Sequence, residues 1–172
     1  MNEKKFPWAL KYGVMLGLTS IILTVLLHML GLEMNRAVGS ITGIGVSILF
    51  LVLCLKAYRD HNQGMSYGEG VGLGTLTGVV SSAISAVFTY VFYKFINPEM
   101  IDKIHEMTLE ELEDREGLTD EQIDQAMEMT AMFTGPEVMS VFALLGGIFF
   151  AFILSLVIAA ILKKERRPSF LD

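Results

Sequence analysis

Four stretches of the chain are apolar almost without interruption: Trp8 to Leu30, broken only by Lys11, then Ala37 to Leu55, Val71 to Phe92 and Val138 to Leu162. Each is about 18 to 25 residues long, which is what a helix rising about 1.5 Å per residue needs to cross a hydrocarbon core of roughly 30 Å. A water-soluble domain in which 52% of 172 residues are hydrophobic would have too much apolar surface to hide. The pattern predicts an all-α integral membrane protein, a four-helix bundle forming one domain over residues 1–172. Its transmembrane helices are expected at about 8–30, 37–55, 70–96 and 137–162, with an extracytoplasmic acidic helical hairpin at about 97–135 between the third and fourth. The first run follows Lys4 and Lys5, as a signal peptide would, but it is longer than an h-region and no small-x-small cleavage site follows it. It is expected to remain as the first transmembrane helix.

Basic residues set the orientation. Lys4, Lys5, Lys11, Lys56, Arg59, Lys163, Lys164, Arg166 and Arg167 fall on one side, and only Arg36, Lys94, Lys103 and Arg115 on the other. Nine against four places both termini in the cytoplasm. Aromatic residues agree, with Trp8, Tyr12, Tyr58 and Tyr67 toward the inner interface and Tyr90, Phe92, Tyr93 and Phe95 toward the outer one. Lys94 can then snorkel outward from the end of the third helix. The lone Cys54 excludes an internal disulfide and reads as a packing residue.

Gly31 to Arg36 is the expected outer link and Lys56 to Glu69 the inner loop. The one sizeable water-exposed segment, Asn97 to Glu137, holds thirteen of the nineteen acids and two bases, a charge of −11, which leaves +5 for the rest of a chain whose net charge is −6. It reads as two helices. Asn97-Pro98 offers a cap followed by proline, Thr108-x-x-Glu111 and Thr119-x-x-Gln122 are capping-box patterns, Gly117 separates the helices, and Gly135-Pro136 ends the second and opens the fourth span. Ile101, Ile104, Leu109, Leu112, Ile123, Met127 and Thr130 recur at helical spacing, with Ala126, Met129 and Phe133 alongside. The carboxylates on the polar face argue against this stripe being a membrane-surface helix, which usually carries Lys and Arg there. Packing within the hairpin, on the bundle mouth or on another protein fits better, and the acids fit a solvated face.

Glycine spacing carries the most information. In "GMSYGEGVGLGTLTG", residues 64–78, each Gly-x-Gly fails the third glycine of a dinucleotide fingerprint, meeting Leu73, Thr75 or Thr77, and no Gly-Lys-Ser/Thr of a Walker loop occurs. Steps of four fit instead: Gly70, Gly74, Gly78, Ser82 and Ala86 on the third helix, and Ala143, Gly147, Ala151, Ser155 and Ala159 on the fourth. Shorter rows run through Gly13 and Gly17, and through Gly39, Gly43 and Ser47. Apolar association supplies little drive between helices in lipid, so small residues that let backbones approach are expected to be the packing sites. Whether the rows face one another in one chain or face a second copy stays open at this level. Leucine at Gly78 or Gly147 is expected to disrupt assembly by steric overlap.

Catalytic chemistry is not evident. No Asp, Glu, Lys or Arg lies centrally in any span, which disfavours a coupled pump. His28 sits toward the outer end of its helix, and the hydroxyls Thr19, Ser20, Thr24, Ser81, Ser82, Ser85 and Thr89 are expected to bond to their own helix carbonyls. Neither His-Glu-x-x-His nor Gly-x-Ser-x-Gly occurs, and His28, His61 and His105 are too dispersed for a metal site. Glu110-Glu111-x-x-x-Arg115 matches the first motif of intramembrane prenyl-protein proteases, but in a water-exposed loop with no histidine after it. Met127, Met129 and Met132 could offer thioethers to Cu(I), although methionine on an amphipathic helix is more often apolar filling. No catalytic residue, cofactor or metal is expected.

The inner-loop pattern "YRDHNQGMSYGEGVGLG", the segment "NPEMIDKI" and the closing "SLVIAAILKKE" resemble the family called domain of unknown function 4199, common in Bacteroidota, across roughly Lys4 to Glu165. Arg59, Asp60, Gly64, Ser66 and Gly68 match its inner-loop pattern. The resemblance implies a small multi-pass protein of the bacterial inner membrane and carries over no catalytic residue. The expected function is a non-enzymatic structural, assembly or accessory component; the alternative is a channel or carrier for a small solute at an oligomer interface. Candidate partners are membrane lipid, a second copy, and a protein at the acidic outer hairpin, with no nucleic acid.

Overall fold

The structure is a computed structural model that describes residues 5–32, 35–115 and 117–164, with Arg36 described by its backbone alone. Lys4, Glu116, Arg166 and Arg167, which enter the charge arguments above, lie outside the described residues. All of the extended elements among the described residues are helices: α1 (Lys5–Met29), α2 (Arg36–His61), α3 (Tyr67–Val91), α4 (Glu99–Glu113), α5 (Asp120–Phe133) and α6 (Pro136–Leu162), with a π-helical turn, Phe92–Ile96, continuing α3. Four of them, Lys5–Met29, Ala37–His61, Tyr67–Ile96 and Pro136–Leu162, are long and apolar enough to cross a membrane.

Local chemistry sets most of the ends. Asn35 Oδ1 accepts the Val38 amide at 3.2 Å and opens α2. Thr119 and Gln122 form the expected capping box at α5, with the Thr119 amide 3.0 Å from Gln122 Oε1 and the Gln122 amide 3.3 Å from Thr119 Oγ1. Gly117, at φ 95°, takes the left-handed conformation that lets the chain turn between α4 and α5. Two sequence expectations are corrected. Thr108 starts no helix: α4 already runs from Glu99, and the Thr108 hydroxyl bonds back to the Ile104 carbonyl at 2.7 Å. Asn97 is not the N-cap of α4: Pro98 holds that position, and the Asn97 amide closes the π-helical turn on the Phe92 carbonyl at 2.8 Å. α2 also outlasts its apolar run and reaches His61, because Tyr58 is buried and draws the last turns into the core.

The chain divides into two compact units, one from the residues up to Ser85 together with those from Leu144 onward, the other Ala86–Ala143. α3 and α6 each contribute to both. In the first unit, the core joins Ala9 of α1, Leu51, Cys54, Leu55 and Tyr58 of α2, Met65, Leu73 of α3, and Ile158 and Ala159 of α6. Trp8 closes this end. It stacks on Tyr12 at 6.5 Å, meets Tyr58 edge-on at 6.2 Å and lies 5.4 Å from His61. The chain just past α6 is fastened to the α2–α3 connection by a two-residue antiparallel bridge: the Met65 amide donates to the Lys164 carbonyl at 2.8 Å and the Lys164 amide to the Met65 carbonyl at 2.9 Å. Among the four spans α3 is the most enclosed, 39% of its most apolar stretch being buried against 17% for each of the others.

In the second unit, Phe92 is buried between Phe88 and Tyr93, with ring centroids 5.4 Å away in each case. Lys94 donates to Glu137 Oε1 at 2.8 Å and also to the Tyr90 hydroxyl, and its ammonium stands 4.7 Å from the Tyr90 ring centroid. α4 and α5 pack on one another. His105 Nε2 lies 2.6 Å from Thr134 Oγ1. Because the Thr134 hydroxyl donates to the Thr130 carbonyl at 2.8 Å, it accepts from His105, which places a proton on Nε2.

Candidate functional site

The small-residue rows of α3 and α6 run in opposite directions and meet in steps of four in the first unit. A Cβ added at Gly70 would lie 2.8 Å from Ala159 Cβ and 2.9 Å from Met65 Cε. At Gly74 it would overlap Ser155 Oγ and lie 2.8 Å from Ser155 Cβ. At Gly78 it would overlap Ala151 Cβ, with Ala151 Cα next at 3.6 Å. On the opposite helix, a Cβ at Gly147 would overlap Ser82 Oγ and lie 3.1 Å from Ser82 Cβ. Ordinary carbon contacts are about 3.5 to 4.0 Å, so each glycine here is an atom-sized requirement. Gly70, Gly74, Gly78, Ser82, Ala151, Ser155 and Ala159 are buried, and Gly147 is half-buried. Ala86 and Ala143 are the next steps of each row; both are half-buried and belong to the second unit.

Two buried hydroxyls, Ser155 within the seam and Thr77 beside it on α3, bond to their own helices. Thr77 Oγ1 donates to the Leu73 carbonyl at 2.9 Å and Ser155 Oγ to the Ala151 carbonyl at 2.6 Å. With its proton so engaged, Thr77 Oγ1 is the acceptor for the buried Cys54 thiol at 3.4 Å.

α3 is gripped from a second side by α1. A Cβ at Gly13 would come within 2.7 Å of Val80 Cβ and 2.8 Å of the Thr77 carbonyl, and one at Gly17 within 3.1 Å of Ile84 Cβ. The row on α2 differs. Gly39 and Gly43 have no non-local atom within 4 Å of an added Cβ, and neither does Gly45. Ser47 bonds to the Gly43 carbonyl at 2.8 Å on its own helix.

The inner-loop residues form a connector. Arg59 pairs with its neighbour Asp60, Nη2 to Oδ1, at 2.8 Å. The Gly64 amide bonds to the Arg59 carbonyl at 3.0 Å, and Gln63 takes φ 54°, so α2 ends in a Schellman-type turn whose left-handed residue is glutamine. Ser66 and Glu69 then cap α3 reciprocally: the Ser66 amide donates to Glu69 Oε2 at 2.9 Å, and the Glu69 amide to Ser66 Oγ at 3.3 Å. Gly68, in the first turn, has nothing within 4 Å of an added Cβ. Ser66-x-x-Glu69 is a capping-box signature that the sequence itself displays, set among Gly64, Gly68 and Gly70. Among the described residues, no three His, Cys, Asp or Glu side chains come together to hold a metal ion.

No curated protein and no solved structure matches the chain. The profile of a family described as "Protein of unknown function (DUF4199)" matches residues 11–164, a stretch that includes every small-residue contact above and both strands of the Met65–Lys164 bridge. With nearly its whole length covered, the chain belongs to the DUF4199 family.

Proposed function

We propose that the protein is a non-enzymatic component of a bacterial inner membrane, with a structural, assembly or accessory role. In this reading both termini are cytoplasmic and the acidic α4–α5 hairpin stands outside, available to a protein partner. The observation that carries it is the seam: Gly70, Gly74, Gly78 and Ser82 against Ala159, Ser155, Ala151 and Gly147, with the Ser155 hydroxyl bonded to the Ala151 carbonyl of its own helix. A solute pathway along α3 would need hydroxyls turned toward water, whereas close backbone contact in lipid supports a rigid, dry packing element. The inner-loop residues fit the same reading, since Arg59 pairs with its neighbour Asp60, and Ser66 and Glu69 cap the start of α3.

The test is flux across vesicles. Protein purified in mild detergent and reconstituted into sealed vesicles should leave them tight to ions and small neutral solutes, and after crosslinking in native membranes it should travel with a second copy or a stoichiometric protein partner. Solute-selective leakage would overturn the reading in favour of the channel or carrier. A chain that remains a solitary monomer in native membranes would overturn the accessory role.

A further inference from the structure

The end of α5 presents apolar side chains that the helix pair does not enclose. Met129, Met132 and Phe133 are 60%, 71% and 52% exposed and lie on one face by their spacing. They are as open as Phe149 and Ile161 on the membrane-spanning α6, at 66% and 75%. The patch is continuous with the start of that span: the Phe133 ring lies 6.0 Å from Phe142, and Phe142 and Val141 are themselves 56% and 53% exposed.

Charge is arranged along α5 in the same sense. Asp120, Glu121, Asp124 and Glu128 occupy its first part; after Glu128 no ionisable residue occurs until Glu137, and after Glu137 none until Lys163. Glu137 is itself paired with Lys94 at 2.8 Å. An isolated carboxylate at that level would hold the chain in water, while a paired one is compatible with the boundary between head groups and acyl chains. Carboxylates on the polar face count against the whole helix lying on a membrane, but they do not bear on a final turn that has none.

We infer that the last turn of α5, through Met129, Met132 and Phe133, is embedded in the acyl-chain boundary of the bilayer and anchors the acidic helix pair at the membrane surface. Lipid is the occupant because the patch continues the exposed apolar surface of a spanning helix and has the same composition. This rests on the membrane-spanning reading, and the test separates the two.

Nitroxide labels are attached in the full chain at Met132→Cys, Phe133→Cys, Gln125→Cys and Val141→Cys, in vesicles of phosphatidylethanolamine and phosphatidylglycerol. Cys54 is fully buried, and the parent chain labelled in parallel reports any background. Collision with oxygen, which concentrates in lipid, is compared with collision with a water-soluble nickel chelate. Oxygen should dominate at 132, 133 and 141 and nickel at 125, the ratio inverting within α5 over two turns. Nickel dominance at 132 and 133 with oxygen dominance at 141 would overturn the anchor alone. Shielding of 132 and 133 from both reagents would overturn it too, by showing a protein surface there. Nickel dominance at 141 would remove the membrane-spanning reading and the anchor with it.

Discussion

Replacing Gly78 with alanine adds a single methyl to the middle of the α3–α6 seam. That methyl would overlap Ala151 Cβ, and the atoms behind it, Ala151 Cα at 3.6 Å and the Gly147 carbonyl at 3.9 Å, are already at contact distance. A methyl on Cα cannot rotate away, so α3 and α6 must separate, and the contacts at Gly74–Ser155 and Ser82–Gly147 loosen together. Overpacking of this kind typically costs about 1 to 3 kcal/mol, with about 0.1 to 0.2 kcal/mol more for each atom pair pulled out of contact. The better helix propensity of alanine offsets about 0.5 to 1 kcal/mol. The net expectation is a loss of about 1 to 3 kcal/mol, or about 2 to 12 °C in Tm for a chain of this size. The protein carries its own reporter, because its only thiol, Cys54, is fully buried and becomes reactive when the bundle opens. A thermal ramp in detergent with a thiol-reactive fluorophore reads the opening temperature. Gly146→Ala, where an added Cβ meets nothing within 4 Å, should leave it unchanged or raise it slightly. Ala151→Gly combined with Gly78→Ala moves the methyl from one helix to the other and should recover most of the loss. A Gly78→Ala protein as stable as its parent, or a double variant no better than Gly78→Ala, would refute the reasoning.

The same assay checks three further expectations. Gly13→Ala should lower the opening temperature, since its methyl meets Val80 Cβ at 2.7 Å and the Thr77 carbonyl at 2.8 Å, while Gly39→Ala on the open face of α2 should not. Ser66→Ala removes the side-chain acceptor of the Glu69 amide and should cost about 0.5 to 2 kcal/mol, with Ser66→Asp largely neutral. Gln63→Gly should stabilise by about 1 kcal/mol, because a glutamine at φ 54° bears a left-handed penalty that glycine escapes; an unchanged or lower temperature would count against strain at this turn.

Much of this was legible in the chain because membrane helices announce themselves by length. Four charge-poor runs became four helices, and Thr119, Gln122 and Gly117 marked a boundary by chemistry that acts within a few residues. The α3 and α6 rows were visible as spacing. Spacing describes one surface and not its neighbour, so Gly39 and Gly43 on α2 looked equivalent to Gly13 and Gly17 on α1, yet the first pair is open and the second is pressed on α3. Thr108 misled because its capping pattern is also compatible with a mid-helix hydroxyl bonded one turn back, and only the helical residues before it decide. The π-helical turn at Phe92–Ile96 and the Met65–Lys164 bridge left no periodic trace, since each depends on a few backbone groups brought together by the rest of the fold.

The bridge at Lys164 also bears on the order in which the bundle is made. Roughly eighty residues separate the end of the α3 row from Lys164, so at about 5 to 20 residues per second the ribosome needs about 4 to 16 s to deliver the helix that covers those glycines. During that interval the glycines of α3 have no α6 to cover them, and α6 has to come against them from the side when it arrives. Closure of the seam is therefore a lateral event within the bilayer, completed when the residues just past α6 engage the connector that was synthesised before α3 began.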